Sequence, residues 1–148
     1  TVKTVVFALL VIIDAFASCV FGKETLNCGS TPTVDSFTLE GCSDRKCTYE
    51  KPSAPHGTFE FVAKAGATSV SARGCVIRKK KRKCEYIPGF CKYLTPTCAV
   101  TIGTKYTLAT NILTPRSKYD GPWQLSLLDE HNKTLICLQL TVTVSNNK

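Results

Sequence analysis

Two kinds of residue in this chain could do chemistry by type and spacing. One is the set of nine cysteines; the other is a run of six cations, Arg78, Lys79, Lys80, Lys81, Arg82 and Lys83, held between Cys75 and Cys84. Thiols can ligate a metal, attack a carbonyl or pair as disulfides. The cysteines stand at positions 19, 28, 42, 47, 75, 84, 91, 98 and 137, with no Cys-x-x-Cys among them, and His56 and His131 lie apart from any cysteine cluster. Zinc is therefore a poor reading and a disulfide framework the strong one. No metal and no cofactor are expected. No catalytic arrangement emerges either. His56 falls in a Pro/Gly turn and His131 in "DEHNK", neither beside an obvious Ser or Cys nucleophile. Asp129 and Glu130 read as solvated turn acids, and "AKAGATSVSARG" lacks the lysine and the strand-to-helix context of a phosphate-binding loop. The chain is not expected to be an enzyme. Asn132-Lys133-Thr134 on the same turn forms an N-glycosylation acceptor.

In isolation the run at 78–83 suggests a nuclear address or a nucleic-acid patch. Base stacking would need interleaved aromatics, which "RKKKRK" lacks, so no nucleic-acid partner is expected. The N-terminus argues against the nucleus. Lys3, the apolar "TVVFALLVII" and small residues around "DAFASCVFG" describe a secretory signal peptide over positions 1–22, too short to span a bilayer. Competing readings are a buried N-terminal strand and, from "FASC", a bacterial lipoprotein box. Cleavage after Ala17 leaves all nine cysteines, whereas cleavage after Cys19 or Gly22 leaves an even set of eight, suited to an oxidising compartment; Gly22 is preferred. For a secreted chain of net charge +8, three readings of the basic run remain. It is a solvated tip that aids solubility, a contact with an anionic membrane, or a site for a lipid headgroup, heparin-like glycan or lipopolysaccharide.

The elements that must position these residues show a period of two, not 3.6. "DSFTLEG" puts Phe37 and Leu39 on one face, and "GTFEFVAK" sets Phe59 and Phe61 against Thr58 and Glu60. "TKYTLATNI" groups Tyr106, Leu108 and Ile112; "PWQLSLLD" aligns Trp123, Leu125 and Leu127 with Gln124 and Ser126 facing away. "LICLQLTVTV" is the cleanest, with Ile136, Leu138, Leu140, Val142 and Val144 on one side. Short alternating stretches separated by turn signals such as "KPSAPHG" and "KYDGP", with no helical pattern, indicate an all-β sandwich or barrel. Periodicity alone does not separate a dry core from a cavity.

"NCGS", "CSDRKC", "CKYLTPTC" ahead of "GTKYTL", and "WQLSLLDEHNKTLICLQLTVTV" occur in an order and spacing that resembles the ML (MD-2-related lipid-recognition) domain family, which includes soluble sterol carriers and mite group-two allergens. The resemblance implies one domain over 23–148: an immunoglobulin-like β-sandwich of two antiparallel sheets with a lipid cavity between them. It implies a secreted, monomeric, non-enzymatic protein of the extracellular space or the endosomal or lysosomal lumen, whose partner is a sterol or other lipid. It implies disulfides Cys28–Cys137, Cys42–Cys47 and Cys91–Cys98. Cys75 and Cys84 depart from the family pattern, and with the other pairs so assigned they are left to each other. The same resemblance puts Phe59, Phe61, Val70, Val76, Tyr106 and Leu108 on the cavity lining, with Trp123, Leu125, Leu138 and Leu140 from the last two strands. Tyr86, Ile87 and Phe90 fall where relatives carry an apolar segment near the mouth. In those relatives the hairpin turn tends to be apolar, so the cations at 78–83 are a departure.

Overall fold

Alternation of large apolar and polar residues becomes ten strands in the computed structural model, which describes Cys28 and residues 34–146. In chain order they are β1 (Val34–Leu39), β2 (Cys42–Ser43), β3 (Lys46–Tyr49), β4 (His56–Val62), β5 (Ser71–Arg78), β6 (Lys81–Ile87), β7 (Leu94–Thr95), β8 (Lys105–Asn111), β9 (Tyr119–Leu128) and β10 (Thr134–Val144). A 3-10 turn, Phe90–Tyr93, is the helical element among the described residues. The apolar run at the N-terminus and its cleavage sites lie outside the described residues.

The strands form a four-stranded sheet, β1-β4-β8-β7, and a six-stranded sheet, β2-β3-β10-β9-β5-β6. This is the all-β sandwich expected from the alternation. One pairing departs from a purely antiparallel arrangement: β3 lies parallel to β10, with Lys46 opposite Thr141 and Tyr49 opposite Val144. Antiparallel neighbours can be joined by a tight hairpin, whereas a parallel pair needs a longer crossover. The long stretch of chain between β3 and β10 supplies it, passing through both sheets on the way.

Strand register sorts the six-stranded sheet into two faces. Across β5, β9 and β10, directly opposed residues form the rows Ala72–Leu127–Ile136, Gly74–Leu125–Leu138 and Val76–Trp123–Leu140. These apolar rows look inward at Phe59 and Leu108 of the other sheet, while the intervening rows, Cys75–Gln124–Gln139 and Arg73–Ser126–Cys137, face away. Gln124 and Gln139 are joined by a 2.9 Å hydrogen bond on that outer face. Ser126 also faces outward, as its place in the alternation requires, yet it is buried, its hydroxyl 3.1 Å from Cys137 Sγ.

Four disulfides tie the fold: Cys28–Cys137, Cys42–Cys47, Cys75–Cys84 and Cys91–Cys98. The first joins the segment before β1 to the middle of β10, across a separation of 109 residues. On the loop-entropy account such a ring contributes about 4 to 5 kcal/mol and each short ring about 2 to 3 kcal/mol. Four disulfides suit an oxidising compartment.

Candidate functional site: an apolar cavity and a cationic hairpin

The interior is not filled evenly. Beside Trp123 and Leu125 on β9, strand β5 supplies only Gly74 and Ala72. A methyl group at Gly74 would still sit 3.8 Å from the Trp123 indole nitrogen and 3.9 Å from Leu125, so there is room beside it. The space these small residues leave opens into a cavity between the sheets of about 110 Å³. Its wall is apolar. Phe59, Leu108, Val76, Trp123, Leu125 and Leu138 line it, with Ile87 and Phe90 toward the β6 edge.

Five residues expected on the lining lie elsewhere. Phe61 and Tyr106 stack on each other with ring centroids 5.8 Å apart and are fully buried toward the start of β8. There the Tyr106 hydroxyl accepts from the Thr101 N–H at 2.8 Å and lies 3.1 Å from both Thr97 Oγ1 and the Ala99 carbonyl, pinning the loop that closes this end. Leu140 shares an inward row with Trp123 but sits against β3's side of the sheet, within the packed core. Val70 precedes β5 and is buried beside the 3-10 turn, its carbonyl accepting from Phe90 N–H at 2.9 Å. Tyr86 stands opposite Arg73 on the outward register of β6 and is 58% exposed.

Conversely, Val34, Ala72, Ile112, Leu113, Pro115, Leu127 and Ile136 line the cavity without having been singled out for it. Leu127 and Ile136 had been recognised as inward-facing, and the alternation that showed this was the signal that would have extended the lining. Ile112 shares the alternation that groups Tyr106 and Leu108, whereas the rest of the segment 112–116 carries no periodic signal. The segment borders the mouth opposite β6, and Arg116 Nε reaches Glu85 Oε1 across the gap at 3.2 Å.

The basic run becomes the tip of the β5–β6 hairpin. Arg78 faces Lys81, and the two residues between them, Lys79 and Lys80, have φ of 53° and 63°. Two left-handed residues in succession make the turn whose twist matches a two-residue hairpin, a position that favours Asn and Gly. Arg78 is not a free cation. Its Nη2 donates to Ser117 Oγ at 2.7 Å and to the Lys118 carbonyl at 3.0 Å, and its guanidinium lies 5.0 Å over the Tyr119 ring. Tyr119 in turn accepts from Ile77 N–H at 3.0 Å and donates to the Pro122 carbonyl at 2.7 Å. Arg78 thus belongs to the anchor of the hairpin. Lys79, Lys80, Lys81, Arg82 and Lys83 are exposed and form no ion pair with the described residues.

The polar turn between β9 and β10 is structural in what its acids do. Asp129 Oδ1 accepts from the backbone N–H of His131 and of Lys133, both at 2.8 Å, and Glu130 Oε2 accepts from Thr68 N–H at 3.0 Å. Backbone hydrogen bonds, first within Glu130 itself and then from Thr68, hold the Glu130 carboxyl below its ordinary range. Asn132 is exposed on this turn with φ of 62°. His56 begins β4, exposed, its N–H bound to Glu40 Oε1 at 2.7 Å. Among the described residues no group of three His, Cys, Asp or Glu side chains could hold a metal.

Among solved structures, the chain is similar to a Niemann-Pick type C2 protein from the Japanese carpenter ant: TM-score 0.63, 14% identity, covering 80% of this chain and 96% of that one. The chain has the ML-like sandwich fold. A partial likeness to a β-glucosidase from Listeria innocua has a TM-score of 0.33 at 9% identity and covers 72% of this chain but 16% of that one. No family model and no curated protein matches the sequence. In this chain the mouth lies between β6 on one side and 112–116 on the other, with the cationic hairpin beyond.

Proposed function

We propose that the protein is a secreted carrier that encloses a hydrophobic ligand, a sterol or fatty-acid-like lipid, between its two sheets. The observation that carries this is the cavity itself: an apolar wall around space left by Ala72 and Gly74, open at one side. An apolar lining open at one side is what a lipid body requires, and the enclosed space of about 110 Å³ means that the sheets part further as the lipid enters. Burying about 400 Å² of ligand surface would supply on the order of 10 kcal/mol before the costs of association. The carrier acts without chemistry on its cargo: the apolar body enters at the mouth, the polar end stays at the rim, and release reverses the same steps. The Niemann-Pick type C2 likeness and the four disulfides support a lipid ligand and a secreted or lumenal setting. The test is organic extraction of the purified protein with mass spectrometry, beside titration with a fluorescent sterol and a fluorescent fatty acid. Co-purified lipid and saturable binding are expected; a reproducible absence of both would overturn the reading.

The hairpin favours a partner for the loaded carrier. Two lysines hold left-handed backbone at its tip, where non-glycine residues cost on the order of 1 kcal/mol or more each, so the turn is not composed for local stability. We infer that it docks on an anionic membrane during cargo exchange. Five free cations near such a surface are worth at most about 5 kcal/mol, less after charge crowding and salt. Replacing Lys79 to Lys83 with Ser while keeping Arg78 is expected to weaken co-sedimentation with phosphatidylserine vesicles and leave ligand affinity in solution unchanged. Unaltered sedimentation would remove the membrane role, and retention on heparin without vesicle binding would move the hairpin to glycan recognition.

A further inference from the structure

Along β6, residues alternate between the cavity side and the outside. Register places Lys81 opposite Arg78, Lys83 opposite Val76 and Glu85 opposite Gly74, so all three share one face of the strand, and of the three Glu85 lines the cavity. Glu85 is the acid on that face, and across the mouth it meets Arg116, whose side chain is 74% exposed. Arg73, the other charged residue bordering the cavity, occupies an outward register position opposite Ser126. The cavity border therefore holds one acid, Glu85, and two cations, Arg73 and Arg116, and the acid is engaged with the Arg116 guanidinium that crosses the gap.

An exposed ion pair of this kind contributes little, because water and salt screen it and both side chains lose freedom to hold it. It is easily exchanged. Arg116 can offer a planar donor fork to any carboxylate or phosphate that arrives. An anionic head delivered by a chain already buried in the cavity arrives at high effective concentration, and Glu85 returns to solvent at small cost. A neutral hydroxyl gains nothing comparable from the same exchange.

We propose that the cavity selects lipids with an anionic head, with Arg116 as the head-binding residue and Glu85 as the counter-charge it gives up on loading. This rests on the carrier reading and names its cargo class. The test is displacement of an uncharged fluorescent probe, 1-aminoanthracene, by palmitate, palmityl alcohol, lysophosphatidate and cholesterol, from the wild-type protein, Arg116→Gln and Glu85→Gln. The wild-type chain is expected to prefer palmitate over palmityl alcohol by about fivefold. Arg116→Gln removes that preference and leaves the alcohol unchanged, and Glu85→Gln widens it by about twofold. Lysophosphatidate that tracks palmitate across the variants extends the site to lipid phosphates; if it does not, the site is confined to carboxylates. A palmitate preference that survives Arg116→Gln, or equal binding of acid and alcohol by the wild-type chain, would overturn the proposal while leaving the carrier intact. Failure to bind the probe and every lipid would instead sink the carrier reading.

Discussion

Along β8, Tyr106 and Leu108 point into the same interior, one pleat apart, and meet different surroundings. Tyr106 stacks on Phe61, and its hydroxyl is saturated by the 97–101 loop, so that end is packed shut. Leu108, one pleat on, looks into the space beside Ala72 and Gly74. The same alternation thus builds a core at one end and a cavity at the other, and the difference comes from the size of the residues facing it. Truncation should expose that difference most strongly. Phe61→Ala is expected to cost about 4 kcal/mol in urea unfolding, because a fully packed ring leaves a void that its neighbours cannot fill. Leu125→Ala on the cavity wall should cost only about 1 to 2 kcal/mol, since one side of that leucine already lacks contacts. Equal losses would mean that the two ends are packed alike.

The closed end also depends on one hydroxyl. Tyr106→Phe keeps the ring and its stacking but leaves the Thr101 N–H without its acceptor, an expected loss of about 2 kcal/mol. Ligand affinity should not move. The cavity end reverses this pattern. Gly74→Leu places a large side chain into the open space beside Trp123 and Leu125, in a strand that tolerates it. At least a roughly tenfold loss of lipid affinity is expected, with stability within about 1 kcal/mol of the original. Retained affinity would show that cargo does not occupy this space.

How much of this was legible beforehand follows from what side-chain patterns can carry. Large apolar residues at period two announce strands and their buried faces, so Phe59, Leu108, Trp123, Leu125 and Leu138 could be named from sequence. Ala72 and Gly74 could not, because a cavity is made by small residues opposite large ones and small residues leave no hydrophobic signal. The parallel pairing of β3 with β10 was hidden for another reason: strand order between distant segments is set by tertiary packing, not by local pattern. The run at 78–83 looked uniform in sequence. Only the fold brings Ser117 and Tyr119 to Arg78 and separates that one anchored cation from the five that are free.

The least perturbing probe of a packed region is Tyr49, at the far edge of the six-stranded sheet from the hairpin. Its ring lies where a Cβ on Gly41 would strike it, which explains a glycine at φ of 85° in the Leu39–Cys42 turn. Its hydroxyl donates to the Glu40 carbonyl at 2.7 Å. Burial first, and the Glu40 charge second, push its pKa up to about 12. The folded state therefore favours the neutral phenol. The stability this confers is fully present below the unfolded value of about 10 and is lost as pH rises through about 12. Ultraviolet titration should show one tyrosine ionising late, a phase that disappears in Tyr49→Phe. Between pH 9 and 11.5 the stability of the original chain should also fall more steeply than that of the variant. At neutral pH the ionisation contributes nothing to either protein, which isolates the packing of this edge from its charge. Identical slopes would place Tyr49 in contact with water, as open at its edge as the cavity mouth is at the other.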